Sequence, residues 1–344
     1  MGHPSRVGKY ELEKFLGGGM SHVYQAKDSV LGRRVALKIL TPEGAADGEA
    51  KARFLLEART ASNINHENII SIYDFGEDQG RPFIVMELLE GETLRDAIKL
   101  GHLGNFHRRL KIALQVSRAL DYIHARKIIH RDIKPENIHI DVAGRIKLVD
   151  FGIAKSEGMN VTASGFTVGT PYYMAPEQVL GRPLTPQADV YAFGILMFEL
   201  IAGKKPVIGD TVEKIFHQIL YEPLNLGPLR RLRTPPSLCD LIARCTAKQL
   251  MQRPQTLSAV SDELESMIDS ARSSAKTGGN QEFASHEFAK AARAMEIAER
   301  ASASWMEHLP IWCRTDTGLV ALSAAGVVVL GAVVLAILVA AHVV

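Results

Sequence analysis

Residues 130–137 read HRDIKPEN, which places a carboxylate, an ammonium and a carboxamide close together at Asp132, Lys134 and Asn137. The stretch follows an apolar segment of helical pattern, residues 112–123, and precedes the apolar pair Ile138 and Ile140. Phosphoryl transfer asks for a group that orients a hydroxyl and accepts its proton, a cation on the migrating phosphoryl, and a metal ligand. Asp132, Lys134 and Asn137 are candidates for these roles in that order. A polar loop between two strands would explain any one of them alone. What decides between the two is whether the flanking chain can bring a nucleotide to this loop.

Downstream stand DFG at residues 150–152 and APE at residues 175–177. HRDxKxxN, DFG and APE in this order and spacing resemble the protein kinase family. Lys134 within KPEN is similar to the Ser/Thr branch of that family. The likeness extends over about residues 10–268. It implies an α+β, bilobal fold, with a small β-rich N-lobe over residues 10–89 and a larger helical C-lobe over residues 90–268. It also implies ATP and Mg2+ as cofactors, with Mn2+ able to substitute, and protein Ser/Thr hydroxyls as acceptors.

Upstream, residues 10–40 alternate in the manner of strands around LGGGMSHVYQAKD. Glycines between strands let a backbone fold closely over phosphates with its N–H groups free to donate. The resemblance assigns Leu16, Gly17, Gly18 and Gly19 to a lid over ATP, and Val23 and Ala36 to the cap on adenine. The lid departs from the family pattern GxGxxGxV: it is one residue short, and Ser21 stands where the third glycine is expected. Lys38, in VALK, matches the lysine that holds the α- and β-phosphates. The helical stretch KARFLLEARTASNI offers Glu57 as its partner, with Phe54 and Ala61 at helical spacing on the same side. The plainer alternative for Glu57 is a surface ion pair. Residues 66–89 predict two strands joined by a Gly-containing turn. By position Met86 resembles the gatekeeper, and the backbone from Glu87 to Leu89 the hinge that meets adenine.

Two residues beyond Asn137, where the family usually has Leu or Met beneath adenine, this chain has His139. It is either a packing residue or a titratable ring against the nucleotide. Asp150 and Asn137 are hard oxygen ligands of the kind magnesium prefers. The loop after residue 152 is rich in Ser, Thr and Gly. It offers Thr162, Ser164 and Thr167 as phosphosites, with Arg131 as the cation that a phosphate would meet. In GTPYYMAPE, which resembles a platform for protein substrates, Thr170 matches the threonine that bonds Asp132 and Lys134. Glu177 and Arg253 match a buried ion pair, and Asp189 the helix residue that fixes the catalytic-loop backbone. Residues 190–201 are apolar, but at about twelve residues they are too short to span a bilayer, so they predict a core helix.

The whole chain has 344 residues, a formal net charge of +2 and three cysteines with no CxxC pair. The near-neutral balance gives no nucleic-acid footprint, and the sparse cysteines suit a reducing compartment. Residues 1–9 read as a tail without the apolar run of a signal peptide, and residues 269–316 as a juxtamembrane linker and helix, the helix over residues 281–307. Residues 317–341 carry no charge. As a helix, about 24 residues at 1.5 Å each span roughly 36 Å, enough for a hydrocarbon core of about 30 Å. Trp305 and Trp312 stand just before it, at the level of an interface. The expected protein is therefore a single-pass, tail-anchored kinase with its catalytic domain in the cytoplasm. Molecules concentrated on one membrane could phosphorylate one another as homodimers. The rival class is a membrane-anchored pseudokinase scaffold, which usually lacks a catalytic Lys or Asp. A small-molecule phosphotransferase of similar fold is disfavoured by GTPYYMAPE.

Overall fold

A computed structural model describes residues 5–150 and 171–277. The chain opens with strands β1 (Arg6–Val7), β2 (Tyr10–Gly18), β3 (Ser21–Asp28) and β4 (Arg34–Leu40). Helices α1 (Pro42–Ala46) and α2 (Gly48–Ser62) follow, and then the hairpin of β5 (Ile72–Asp78) and β6 (Arg81–Met86). Together they make a six-stranded antiparallel sheet in the order β1-β2-β3-β4-β6-β5. The hairpin closes through Gln79 and Gly80, both at positive φ, which is the backbone a two-residue turn needs to match strand twist.

The alternation of RVALKIL in β4 divides the lobe into two packed faces. Val35, Leu37 and Ile39 join Tyr10, Tyr24, Phe83 and Val85 on one side. Ala36 and Leu40 join Phe54, Ala58, Ile84 and Met86 on the other. Lys38 shares the second face, which α2 covers. Helix α2 is started by Asp47, whose carboxylate accepts from the N–H groups of Glu49 and Ala50, and it buries Ala50, Phe54, Ala58 and Ala61. The sheet begins earlier than residue 10: Val7 is buried in the first cluster, inside the segment read from sequence as a tail. A strand of two residues has too few positions to show alternation.

The helical lobe holds β7 (Glu92–Thr93), α3 (Leu94–Leu100), α4 (Phe106–His124), β8 (Ile138–Ile140) and β9 (Ile146–Leu148). After residue 170 come α5 (Pro176–Val179), α6 (Gln187–Ala202), α7 (Val212–Tyr221), α8 (Gly227–Arg231), α9 (Pro236–Cys245) and α10 (Leu257–Thr277). Strands β7, β8 and β9 form a small antiparallel sheet at the base of the cleft. Helix α6 is buried at every position from Ala188 to Ile201, as its apolar sequence predicts for a core helix. Gly194 lets α9 come close, since a Cβ there would lie 2.7 Å from the Cβ of Cys245. The backbone of α10 continues to Thr277, beyond residue 268, into a Ser-, Ala- and Lys-containing stretch read as linker. Such residues tolerate helix well enough to prolong one already anchored by packing.

Among the described residues no helix is long and apolar enough to cross a membrane. The span expected over residues 317–341, the helix expected near 281–307 and the two tryptophans lie outside them.

Glu177, at the start of α5, and Arg253, before α10, form a bidentate pair with Oε1–Nη1 at 2.8 Å and Oε2–Nη2 at 3.0 Å. Both side chains are nearly sealed from water. Arg253 also donates to the carbonyls of Gln187 and Ala247 and lies over the Tyr191 ring, so one guanidinium joins α5, α6 and the segment before α10. Removing the carboxylate strands a buried cation, and breaking such a pair typically costs about 3–5 kcal/mol. Glu177→Ala should therefore lower the free energy of unfolding by an amount in that range, seen as a fall in the urea midpoint at unchanged slope, with Glu177→Gln less damaging, as equilibrium denaturation followed by circular dichroism would measure.

Candidate active site

The loop of residues 130–137 takes its shape from one buried side chain. Asp189 on α6 accepts the backbone N–H groups of His130 at 2.7 Å and Arg131 at 2.9 Å, and its Oδ2 also meets His124 Nε2 at 2.8 Å. Arg131 sits at φ 67°, a backbone region that costs energy outside glycine and persists only when the surroundings fix it. Here α6 does the fixing. The backbone turns through Arg131, and the loop ends in a 3₁₀ turn, Pro135–Asn137, before β8.

Inside that loop the three polar groups meet. Lys134 Nζ donates to Asp132 Oδ2 at 2.8 Å, and Asn137 Nδ2 donates to the same oxygen at 3.0 Å and to the Asp132 carbonyl at 2.8 Å. Because the Asn137 amide spends its N–H groups on Asp132, its Oδ1 is left as an acceptor.

Across the cleft, Lys38 Nζ lies 3.3 Å from Glu57 Oε1 and 2.7 Å from Asp150 Oδ1. Lys38 and Glu57 are largely buried, so this is not a surface ion pair. Burial alone would lower the Lys38 pKa, but Asp150 and then Glu57 outweigh burial and hold it above the ordinary value. Lys38 in turn keeps Asp150 below the usual carboxylate range against burial, while the nearby Asp132 pushes the other way. Glu57 is raised, by burial first and also by Asp150, despite the opposing Lys38. Asp150 is thus the firmly ionised partner. With Oδ1 on Lys38, its Oδ2 and Asn137 Oδ1 are the hard oxygen atoms that could hold magnesium. Thr170, Phe151, Gly152 and the hydroxyls of Thr162, Ser164 and Thr167 lie outside the described residues.

Residues expected around adenine gather at the back of the cleft. Ala36 pairs with Met86 across β4 and β6, and Leu88, Leu89 and Val149 pack against the same cluster. The N–H of Glu87 donates to Ser71 O, and its carboxylate pairs with Lys147 at 2.9 Å. Val23 is half-buried beside Lys38 in the β3–β4 register. The shortened lid is a tight hairpin, in which Gly17 pairs with Val23 and Gly18 with His22. Gly18 has φ 143°, and a Cβ on it would fall 2.0 Å from the Ser21 carbonyl oxygen. Leu16 is 46 % exposed and Met20 59 %, so the lid's apolar side chains are uncovered.

His139 lies between Ile138 and Ile140 in β8, both buried, so the strand period turns its ring to the other face. It pairs with Thr93 on β7 and Lys147 on β9. Burial pulls its pKa below the ordinary histidine value, and Glu92 and Asp141 only partly oppose this. Glu92 is itself engaged by His102 Nδ1 at 2.9 Å.

Sequence reasoning did not pick out Arg95, Glu136, Glu199 and Tyr173, which form a cluster beside the loop. Arg95 Nε donates to Glu136 Oε1 at 2.8 Å, Nη1 to Glu199 Oε1 at 2.6 Å, and Nη2 to Tyr173 Oη at 2.6 Å. Tyr173 Oη donates to Glu199 Oε2. No short motif contains all four residues; only their nearness to HRDIKPEN and GTPYYMAPE hinted at a role.

A two-lobed fold of this kind, with lysine, paired carboxylates and a polar loop meeting in the cleft, is the architecture of a phosphotransferase. The chain belongs to the protein kinase family: the protein kinase domain model matches residues 10–264. It is 38% identical over 269 residues to the serine/threonine-protein kinase PrkC of Bacillus subtilis, covering 77% of this chain and 41% of that protein. It is 40% identical over 242 residues to the serine/threonine-protein kinase PknA of Mycobacterium tuberculosis, covering 68% of this chain and 56% of that protein. The chain thus spans about half the length of these relatives. Among solved structures, a mutant of the M. tuberculosis PknI kinase domain aligns over 77% of this chain and 99% of its own, with a TM-score of 0.61 at 27% identity.

A depressed pKa means that His139 is neutral at neutral pH and gains its proton only on acidification. A bound purine would disfavour the cation further, so affinity for ATP should fall as pH drops through the free protein's value. His139→Leu should flatten this dependence. Calorimetric titration of ATP into both proteins between about pH 5.5 and 8, where histidines ordinarily titrate, measures the difference, and superimposable curves would leave His139 as packing only.

Proposed function

We propose that this chain is a Ser/Thr protein kinase that transfers the γ-phosphoryl group of ATP to protein Ser or Thr hydroxyls. The observation that carries the reading is the clasp on Asp132, whose carboxylate is held by Lys134 and Asn137 within 3.0 Å and lies near enough to Asp150 to push that group's pKa upward. In this reading Asp132 accepts the acceptor hydroxyl's proton, and Lys134 offsets charge on the migrating group. Lys38, braced by Glu57, holds the α- and β-phosphates. Asn137 and Asp150 hold magnesium, which when bound neutralises charge across the phosphates. Support also comes from the relatives, which are named serine/threonine kinases, and from Lys134 in KPEN. The pseudokinase alternative finds little support, since Lys38, Asp132, Asn137 and Asp150 are all present.

Two further elements belong to the proposal. Phosphorylation in trans at Thr162 or Ser164 raises activity, with Arg131 as the receiving cation. Residues 317–341 insert in the membrane as a single anchor, leaving the catalytic domain in the cytoplasm.

Incubating the protein with labelled ATP, magnesium and a generic basic protein should label Ser and Thr. Asp132→Asn should bind ATP as before while losing at least about 100-fold in turnover, the usual worth of general-base catalysis. Wild-type turnover in that variant would overturn the assignment. For the anchor, deletion of residues 315–344 should move the protein from the alkali-resistant membrane fraction to the supernatant with unchanged turnover on a free peptide; a full-length protein already found in the supernatant would refute it.

A further inference from the structure

The cluster around Arg95 lies outside the groups that would touch ATP or metal, yet it joins four separate elements of the helical lobe. Arg95 is the second residue of α3, whose N-terminus is capped by Thr93 and whose Leu94 and Ala97 are buried. With those two fixed in the core, the Arg95 side chain projects along the lobe. There its guanidinium reaches the 3₁₀ turn of the catalytic loop at Glu136, the core helix at Glu199, and the turn Pro171–Tyr173 at Tyr173.

The strength of each arm differs in a way that bears on function. Glu199 and Tyr173 are nearly sealed from solvent, and with Arg95 they close a three-membered ring of charge-assisted hydrogen bonds. Burial and Glu199 both raise the Tyr173 pKa, so it stays a phenol that can donate. Glu136 is held differently. Its side chain is 36% exposed, its Oε2 is buried with no hydrogen-bond partner, and among the described residues Arg95 Nε is the donor that meets it. Arg95 is thus what fixes the orientation of Glu136. Next to Glu136 stands Asn137, which clasps Asp132. Tyr172, in the same turn as Tyr173, carries Lys205 over its ring at 4.2 Å.

We propose that Arg95 is a positioning residue that registers the substrate-peptide platform against the catalytic loop, through Tyr173 and Glu199 on one side and Glu136 on the other. This rests on the kinase reading above. The chain of contacts runs Tyr173–Arg95–Glu136, and then along one peptide bond to Asn137 and Asp132. Displacing the platform misaligns the acceptor hydroxyl while leaving the nucleotide-holding groups, Lys38, Glu57 and Asp150, untouched. The expected signature is a loss confined to peptide as acceptor, because misorientation of a reacting group is costly even when binding of the other substrate is intact.

The test uses the full chain in detergent or vesicles, with Arg95→Met, Glu136→Gln and Tyr173→Phe and the Arg95→Met/Tyr173→Phe double variant. For each, three quantities are measured: ATP affinity, slow ATP hydrolysis without peptide, and kcat/KM for a Ser/Thr peptide, all scaled to the folded fraction from a thermal melt. Arg95→Met should lose about 10- to 100-fold in peptide kcat/KM, the scale of lost charged hydrogen bonds, with ATP affinity and hydrolysis within about twofold. Arg95→Lys should recover part of it. The double variant should lose less than the product of its parents, as partners in one network do. Glu136→Gln keeps the buried ring whole, so it remains informative if Arg95→Met does not fold. Its expected loss is smaller, in the same readout alone. Unchanged peptide kinetics in Glu136→Gln and Tyr173→Phe, or equal losses of peptide transfer and hydrolysis, would overturn the inference. Failure of the wild type to phosphorylate any protein would instead remove the kinase reading, and this inference with it.

Discussion

A single buried carboxylate sets the geometry on which the rest of the site depends. Asp189 stands on a helix with no exposed residue from Ala188 to Ile201 and accepts two successive backbone N–H groups of the catalytic loop. These two N–H groups, with the His124 ring 2.8 Å from Oδ2, fill the hydrogen-bonding capacity that a buried carboxylate must satisfy. The loop can then turn through Arg131 in a backbone conformation that a free loop would leave. Position and chemistry are thereby separated: α6 supplies a rigid base made of apolar packing, and the loop supplies Asp132, Lys134 and Asn137 in fixed relation to it.

Around this base the helical lobe uses arginines as multi-way joints. Arg253 ties α5, α6 and the segment before α10; Arg95 ties α3, the catalytic turn, α6 and the turn at Pro171–Tyr173. A planar guanidinium suits this use, since five donors in a fixed fork can serve several acceptors at once and the charge does not titrate. Buried ion pairs seldom add much stability over apolar packing. What they add here is register between elements that are distant in sequence, such as residues 95 and 199.

Much of this arrangement is legible in the amino-acid sequence itself. The order HRDIKPEN, DFG, APE pointed to the family, and alternation over residues 10–40 pointed to strands around the glycine lid. The apolar run from residue 190 to 201 gave the core helix. Each of these is local: a period or a short motif. What escaped was non-local or too short to have a period. β1 has two residues. Arg95 reveals its role only when residues 136, 173 and 199 are brought beside it, and no spacing rule relates them. The continuation of α10 past Ile268 follows from cooperative extension of a packed helix, which composition alone reads as a linker. His139 was visible as a departure from the family pattern, but its surroundings, Glu92, Asp141 and Lys147, came only with the register of the small sheet.

The Lys38 bridge has a consequence for the order in which ligands can arrive. Its ammonium already occupies one oxygen of Asp150 at 2.7 Å, so the cleft carries a resident cation where a divalent ion would bind. On the proposed reading, an ion held by Asp150 Oδ2 and Asn137 Oδ1 would lie beside that ammonium, and like charges repel. A nucleotide carrying its ion would offer Lys38 phosphate oxygens to meet instead, so the arrangement would favour entry of the metal–nucleotide complex over stepwise loading.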